Sequence, residues 1–197
     1  MDEFDKDIEK LIATCQKYSI PATFAKSELS MPPNLPSSQE INYFYANFNP
    51  ILFKIETGGS PLKLFAINDL YGKQTGYRWD AGGDGSSSIN PRWNSSHLVI
   101  GDDVGGGKPI IANCGLSNTP IYAAYDAVKP FEISSSFRDF IISTYELIEI
   151  LYGKYDIFEI YDEDEVIRTD FERDFMNSMI KILGKENSER FFDYLYG

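Results

Sequence analysis

The chain has few of the residues that carry chemistry or lock a fold covalently. Its 197 residues include two cysteines and one histidine. Cys15 and Cys114 stand far apart, with no CxxC or Cys/His cluster around either. That spacing excludes a redox motif and a structural zinc site, and it leaves two reduced thiols as the expectation. Cations are also scarce: 18 Lys and Arg face 30 Asp and Glu, a formal net charge of −12. Such a field repels the phosphate backbone, which argues against direct nucleic-acid binding; it draws a basic partner inward, or serves solubility alone. Long apolar runs are missing too. The most apolar stretch, 137–152, is broken by Arg138, Asp139, Glu146 and Glu149, so it does not read as a membrane span. The opening residues, Met1 to Asp7, are acidic and lack the basic and apolar regions of a signal peptide, which makes the cytoplasm the expected location.

What the chain does have is core material. Hydrophobic residues make up 43%, with 13 Tyr and 14 Phe. At this length a fold buries roughly 70% of its unfolded surface, enough to stand without disulfides or metals. A single domain spanning 1–197 is expected.

Periodicity organises that material. Phe4, Ile8, Leu11, Ile12, Cys15 and Tyr18 recur at steps of three and four, predicting a helix over 2–18 that Pro21 ends. A Ser- and Pro-rich connector, 26–38, leads to a capping-box pattern of Ser37 and Glu40, then a short helix carrying Ile41, Phe44, Tyr45 and Phe48. After Pro50 the texture changes to short β-branched and aromatic runs separated by Gly, Asn and Asp. Strands are predicted over 51–55, 62–67, 97–101, 108–113 and 119–124, in an antiparallel meander. Between the first and second pairs, 71–96 reads as a long surface loop pinned by Trp79, Trp93 and Tyr77. Ser134, Ser135 and Ser136 offer caps for a helix from Phe137 to Leu151, closed by Gly153. The alternating run 155–161 fits a strand or a helix start. Helical spacing returns from Phe171 to Leu183, and a short terminal helix carries Phe191, Phe192 and Leu195. The fold class is therefore α+β: a largely antiparallel sheet flanked by helices, with an N-terminal helix and a C-terminal helical extension.

Several motifs come close to a known chemistry and fall short of it. Gly105-Gly106-Gly107-Lys108 has Asp102 and Pro109 where a phosphate-binding loop needs Gly and Ser or Thr, so it reads as a hairpin turn with positive φ angles. Asp80 to Gly85 has the first, fifth and sixth positions of a calcium loop, but Gly82 replaces the third ligand and Pro91 stands at the twelfth, which favours an acidic loop. His97 is the one imidazole for a proton relay, and Asp102 or Asp103 could approach it across the hairpin. The chain has no nucleophile elbow, since Gly115-Leu116-Ser117-Asn118-Thr119 lacks the final Gly, so a solvent-facing or capped strand histidine is expected. Asp162, Glu163, Asp164 and Glu165 suit a solvated turn and a helix N-terminus, with a partner site as the alternative. No catalytic residue, cofactor or metal is called for. The candidate partner-binding face is Trp79, Asp80, Asp84 and Trp93, with Asp102 and Asp103 as neighbours; each Trp is either a binding anchor or a loop anchor.

The order of segments carries a further signal. Trp93-Asn94-Ser95-Ser96-His97-Leu98-Val99-Ile100-Gly101, then Gly105-Gly106-Gly107-Lys108-Pro109-Ile110-Ile111, Pro120-Ile121-Tyr122 and Ser136-Phe137-Arg138-Asp139-Phe140-Ile141 resemble the SUKH superfamily, in particular its Smi/Knr, cell-wall assembly regulator-like branch. Leu35-Pro36 with its short helix and Leu64 to Leu70 match the family's early blocks. The resemblance covers about 34–153 and leaves the first helix and 154–197 as additions. It implies an α+β fold without a shared catalytic residue. It also implies an immunity protein that binds and neutralises a cognate toxin domain, often a nuclease, or alternatively a regulatory scaffold of the cell-wall type; an enzyme using His97 ranks third.

Overall fold

The computed structural model describes residues 2–80, 88–105, 107–125 and 129–197. Helix α1, Asp2–Lys17, buries Phe4, Ile8, Leu11 and Cys15 on one face, as the spacing predicts, and the chain reverses at Ser19. Strand β1, Ala22–Ala25, follows Pro21. Helix α2, Gln39–Phe48, is capped by Ser38, not Ser37: the Ser38 hydroxyl accepts the Ile41 N–H at 3.2 Å. Glu40 is not turned back on its own helix. Its carboxylate accepts instead from the Thr119 hydroxyl at 2.7 Å, tying α2 to the far end of the sheet.

Strands β2 (Asn49–Ile55), β3 (Leu62–Leu64), β4 (His97–Asp102), β5 (Ile110–Asn113), β6 (Ile121–Ala123) and β7 (Phe131–Ser134) complete the sheet. All seven strands lie in sequence order, and every neighbouring pair is antiparallel. The expected meander holds and gains a strand at each edge. Register sorts the side chains: Leu98, Ala112 and Ile121 share one face, while Val99, Ile111 and Tyr122 share the other. Both faces of β4 and β5 are buried, so two layers must cover them.

Helices supply one layer. Helix α3, Phe137–Ile148, is capped by Ser136, which accepts the Asp139 N–H at 2.9 Å, and it runs on into a π-helical turn, Glu149–Lys154. Helices α4, Thr169–Leu183, and α5, Lys185–Tyr196, meet at Gly184, whose φ of +76° reverses the chain in a single residue. The terminal helix runs for 12 residues, longer than the short one expected. Helix α1 packs on α3, α3 on α4 and α4 on α5, so the layer reaches from β1 beneath α1 to β7 beneath α5. Phe140, Phe171, Phe175, Phe191, Phe192 and Tyr196 form one run of ring contacts through it.

The stretches 65–80 and 88–96 supply the other layer. Where β3 stops, Gln74 takes over its work: the buried amide donates to Val99 O at 2.9 Å and accepts the Val99 N–H at 3.0 Å, extending the edge of β4 with a side chain. A further bond to Leu70 O at 2.8 Å fixes the amide. Asn49 acts similarly, accepting the Ile67 N–H at 2.8 Å.

Candidate functional site

The two indoles of the expected binding face are loop anchors. Trp79 and Trp93 are only 5% and 8% exposed. The Trp79 indole N–H donates to Tyr71 O and the Trp93 indole N–H to His97 O, each at 3.2 Å, and their rings pack on Tyr71 and Tyr77. Both rings thus act as loop anchors, one of the two roles expected of them. Asp80 is exposed and accepts from the Ser88 hydroxyl at 3.0 Å. Asp84, with the rest of the calcium-like loop after Asp80, lies outside the described residues. Asp102 and Asp103 are half-buried and turn their oxygens on the hairpin itself: Asp102 accepts the Val104 N–H at 2.9 Å, and Asp103 accepts those of Gly107 and Lys108 at 3.4 Å.

That hairpin differs from its glycine reading. The left-handed residue is Val104, at φ +67°, whereas neither Gly105 nor Gly107 has a positive φ; Gly106 lies outside the described residues. Lys108 reaches away from the turn, donating to Ser60 Oγ at 2.8 Å and Tyr194 O at 3.2 Å, where it ties β5 to α5.

His97 is neither solvent-facing nor paired with acid. It is buried at 8% exposure, its ring 5.8 Å from Trp93 and 5.5 Å from Tyr122. Asp102 stands at the opposite end of β4, so the expected approach across the hairpin does not occur. Burial lowers the imidazole's pKa and favours the neutral ring. The thiols are similarly quiet: burial pushes Cys15 up to about 11 and Cys114 up to about 12, so neither is a nucleophile at neutral pH.

Of the surface concavities, two are lined by three or more charged side chains. A cleft of about 530 Å³ opens where the N-termini of α2 and α3 converge, lined by Phe4, Tyr43, Glu40, Arg138 and Asp139 among others. Its charges are already matched: Arg138 donates to Asp7 at 2.6 Å and to Glu3 at 3.0 Å, and Ser38 and Ser136 occupy the helix ends. The second is a shallow groove of about 470 Å³ over 158–168, lined by Phe158, Glu159, Tyr161, Asp162, Glu163 and Arg168.

This groove belongs to the run that fits neither a strand nor a helix: 155–168 forms a knuckle. Ile160 is fully buried, Tyr161 bridges Ile167, and Asp162 accepts the N–H groups of Asp164 and Val166 at 3.0 Å. The acidic run makes the expected solvated turn, but α4 begins only at Thr169. Phe158, at 85% exposure, crowns the knuckle. The sequence reading missed it because an alternating run counts every aromatic residue as core; the signal to heed was the carboxylates on both sides of it.

Among the described residues, no group of three or more His, Cys, Asp or Glu is placed to hold a metal ion, and no helix is long and apolar enough to cross a membrane. No protein-family model matches the chain, nor does any curated protein or solved structure.

Proposed function

We propose that this chain is a non-catalytic protein-binding module, an immunity protein that neutralises a basic toxin domain in the cytoplasm. The observation that carries the reading is electrostatic: a net charge of −12 on a framework whose single imidazole serves packing between Trp93 and Tyr122. A field of that sign steers a cationic partner and raises its rate of encounter. The resemblance of 34–153 to toxin-neutralising proteins supports the same reading.

The test is to purify the protein together with the product of the neighbouring reading frame. A stoichiometric complex that weakens with salt, and that keeps cells producing the toxin alive, is the expected result. A neighbour that does not bind, combined with an altered cell wall when this chain is removed, would favour the regulatory scaffold.

A further inference from the structure

We propose that Phe158, with the carboxylates around it, is the surface that docks a basic polypeptide: an apolar side chain of the partner seats against the Phe158 ring while its Lys or Arg residues face Glu159 and Glu163. The proposal rests on the protein-binding reading above and says which face does the binding.

Phe158 is the exception among the phenylalanines, and at 85% the most exposed of the large hydrophobic residues described. Of 14 phenylalanines it alone is exposed, and Val166 beside the acidic turn is 59% exposed. An exposed aromatic ring forfeits the hydrophobic gain that burial would bring, and it lowers the free energy again only when a partner covers it. The backbone that carries the ring is held in place. The Phe158 N–H is taken by Asp156 at 3.0 Å, Glu159 N–H by Asp156 O at 2.8 Å, and the Arg168 guanidinium donates to Glu159 O at 3.1 Å. Beneath them the knuckle is seated on the β2–β3 turn. A Cβ on Gly58, at φ +80°, would stand 2.5 Å from Ile157 O and 2.6 Å from Ile160 Cδ1, so only glycine lets the two segments approach. A partner therefore has little backbone to order when it binds.

Charge selects the partner. Asp156, Glu159, Asp162, Glu163, Asp164 and Glu165 fall in ten residues, with no Lys or Arg between Lys154 and Arg168. Those two cations are engaged, Lys154 by Asp174 and Arg168 by Asp170 at 2.9 Å. An acidic rim around an apolar centre matches a cationic surface that carries an apolar side chain, with the ring as anchor and the rim setting rate and specificity.

The experiment is to pan random twelve-residue peptides, displayed on phage, against the full chain. Enriched peptides should place Lys or Arg around a Leu, Met, Phe or Trp. Phe158→Ser should weaken them by about thirtyfold or more while leaving the melting temperature unchanged. Glu159→Gln with Glu163→Gln should slow association and flatten its salt dependence, and Leu116→Ser, on an exposed turn elsewhere, should change nothing. Peptides that bind Phe158→Ser as well as the parent, or no enrichment of basic peptides, would overturn the proposal. So would a dimer of the free chain that Phe158→Ser dissolves, since the occupant would then be a second copy. If the neighbouring product binds the parent and Phe158→Ser equally, this surface is wrong and the immunity reading stands. If basic peptides select Phe158 and that product does not bind, the surface stands and the toxin assignment fails.

Discussion

At φ +67°, Val104 holds a branched Cβ in the left-handed region, a conformation that costs on the order of 1 kcal/mol or more, while Gly105 and Gly107 lie outside that region. Val104→Gly should therefore stabilise the protein by about 1 kcal/mol in chemical denaturation. Gly107→Ala should stay within about 0.5 kcal/mol, because a Cβ there meets nothing within 4 Å. His97 makes a second prediction, in pH. Its folded pKa is below the unfolded value of about 6.5, so the unfolded chain takes up a proton first as the medium acidifies. Its contribution is complete above about pH 6.5 and declines as pH falls through that value toward the folded pKa. Melting temperatures measured from pH 7.5 to 5 should fall for the parent and fall less steeply for His97→Gln. At this scale the sequence was partly legible. Ser136 could be found as one of three candidate caps, because a cap needs only a hydroxyl ahead of an apolar stripe. The exposure of Phe158 and the burial of His97 depend on what the folded chain lays over them, and spacing carries no trace of that.

Gln74 shows how an element can be completed by a side chain. Gln74→Leu keeps the volume and leaves the Val99 N–H and C=O buried without partners, which should cost about 2 kcal/mol or more in unfolding free energy. Gln74→Glu should cost at least as much at neutral pH, because a buried carboxylate would face Val99 O and Leu70 O with no proton to donate. Nothing in a sequence marks such a residue, since glutamine in a loop reads as solvated. The predicted strands could be read as β-branched runs framed by turn residues, whereas β1 sets Phe24 between alanines and β7 runs straight into the serine cap of α3, so neither has such a frame. The end of α3 escaped for another reason. Its apolar stripe continues through Ile150 and Leu151 while the backbone widens to a π-helical turn. Periodicity registers the side chains and is blind to that change of winding.

On the scale of the whole molecule, the C-terminal helices belong to the core that the resemblance draws without them. Ser60 N–H donates to Leu195 O at 2.7 Å, the Tyr194 hydroxyl to Lys108 O at 2.9 Å, and the Tyr196 hydroxyl to Thr57 O at 3.2 Å. A chain ended after Gly153 should accordingly lose cooperative thermal unfolding and bind a hydrophobic dye, because β7 and Phe140 would be stripped of α5. The α+β class was legible from the switch in periodicity at Pro50 and back at Phe137. The role of α4 and α5 was not, since a helical stripe states that it is buried without stating against what.

The strand order has a consequence for a chain still being made. Because β1 to β7 pair strictly in the order of synthesis, each strand leaving the ribosome finds its edge already in place, and most closures span short loops. Two steps break that rhythm. The segment 65–96 must be made before β4 can dock, and α1, made before the sheet, waits for α3 to cover it. Helix α5 packs on β7 only once both are made, so the β7 side of the growing sheet stays uncovered until 185–196 have left the ribosomal tunnel.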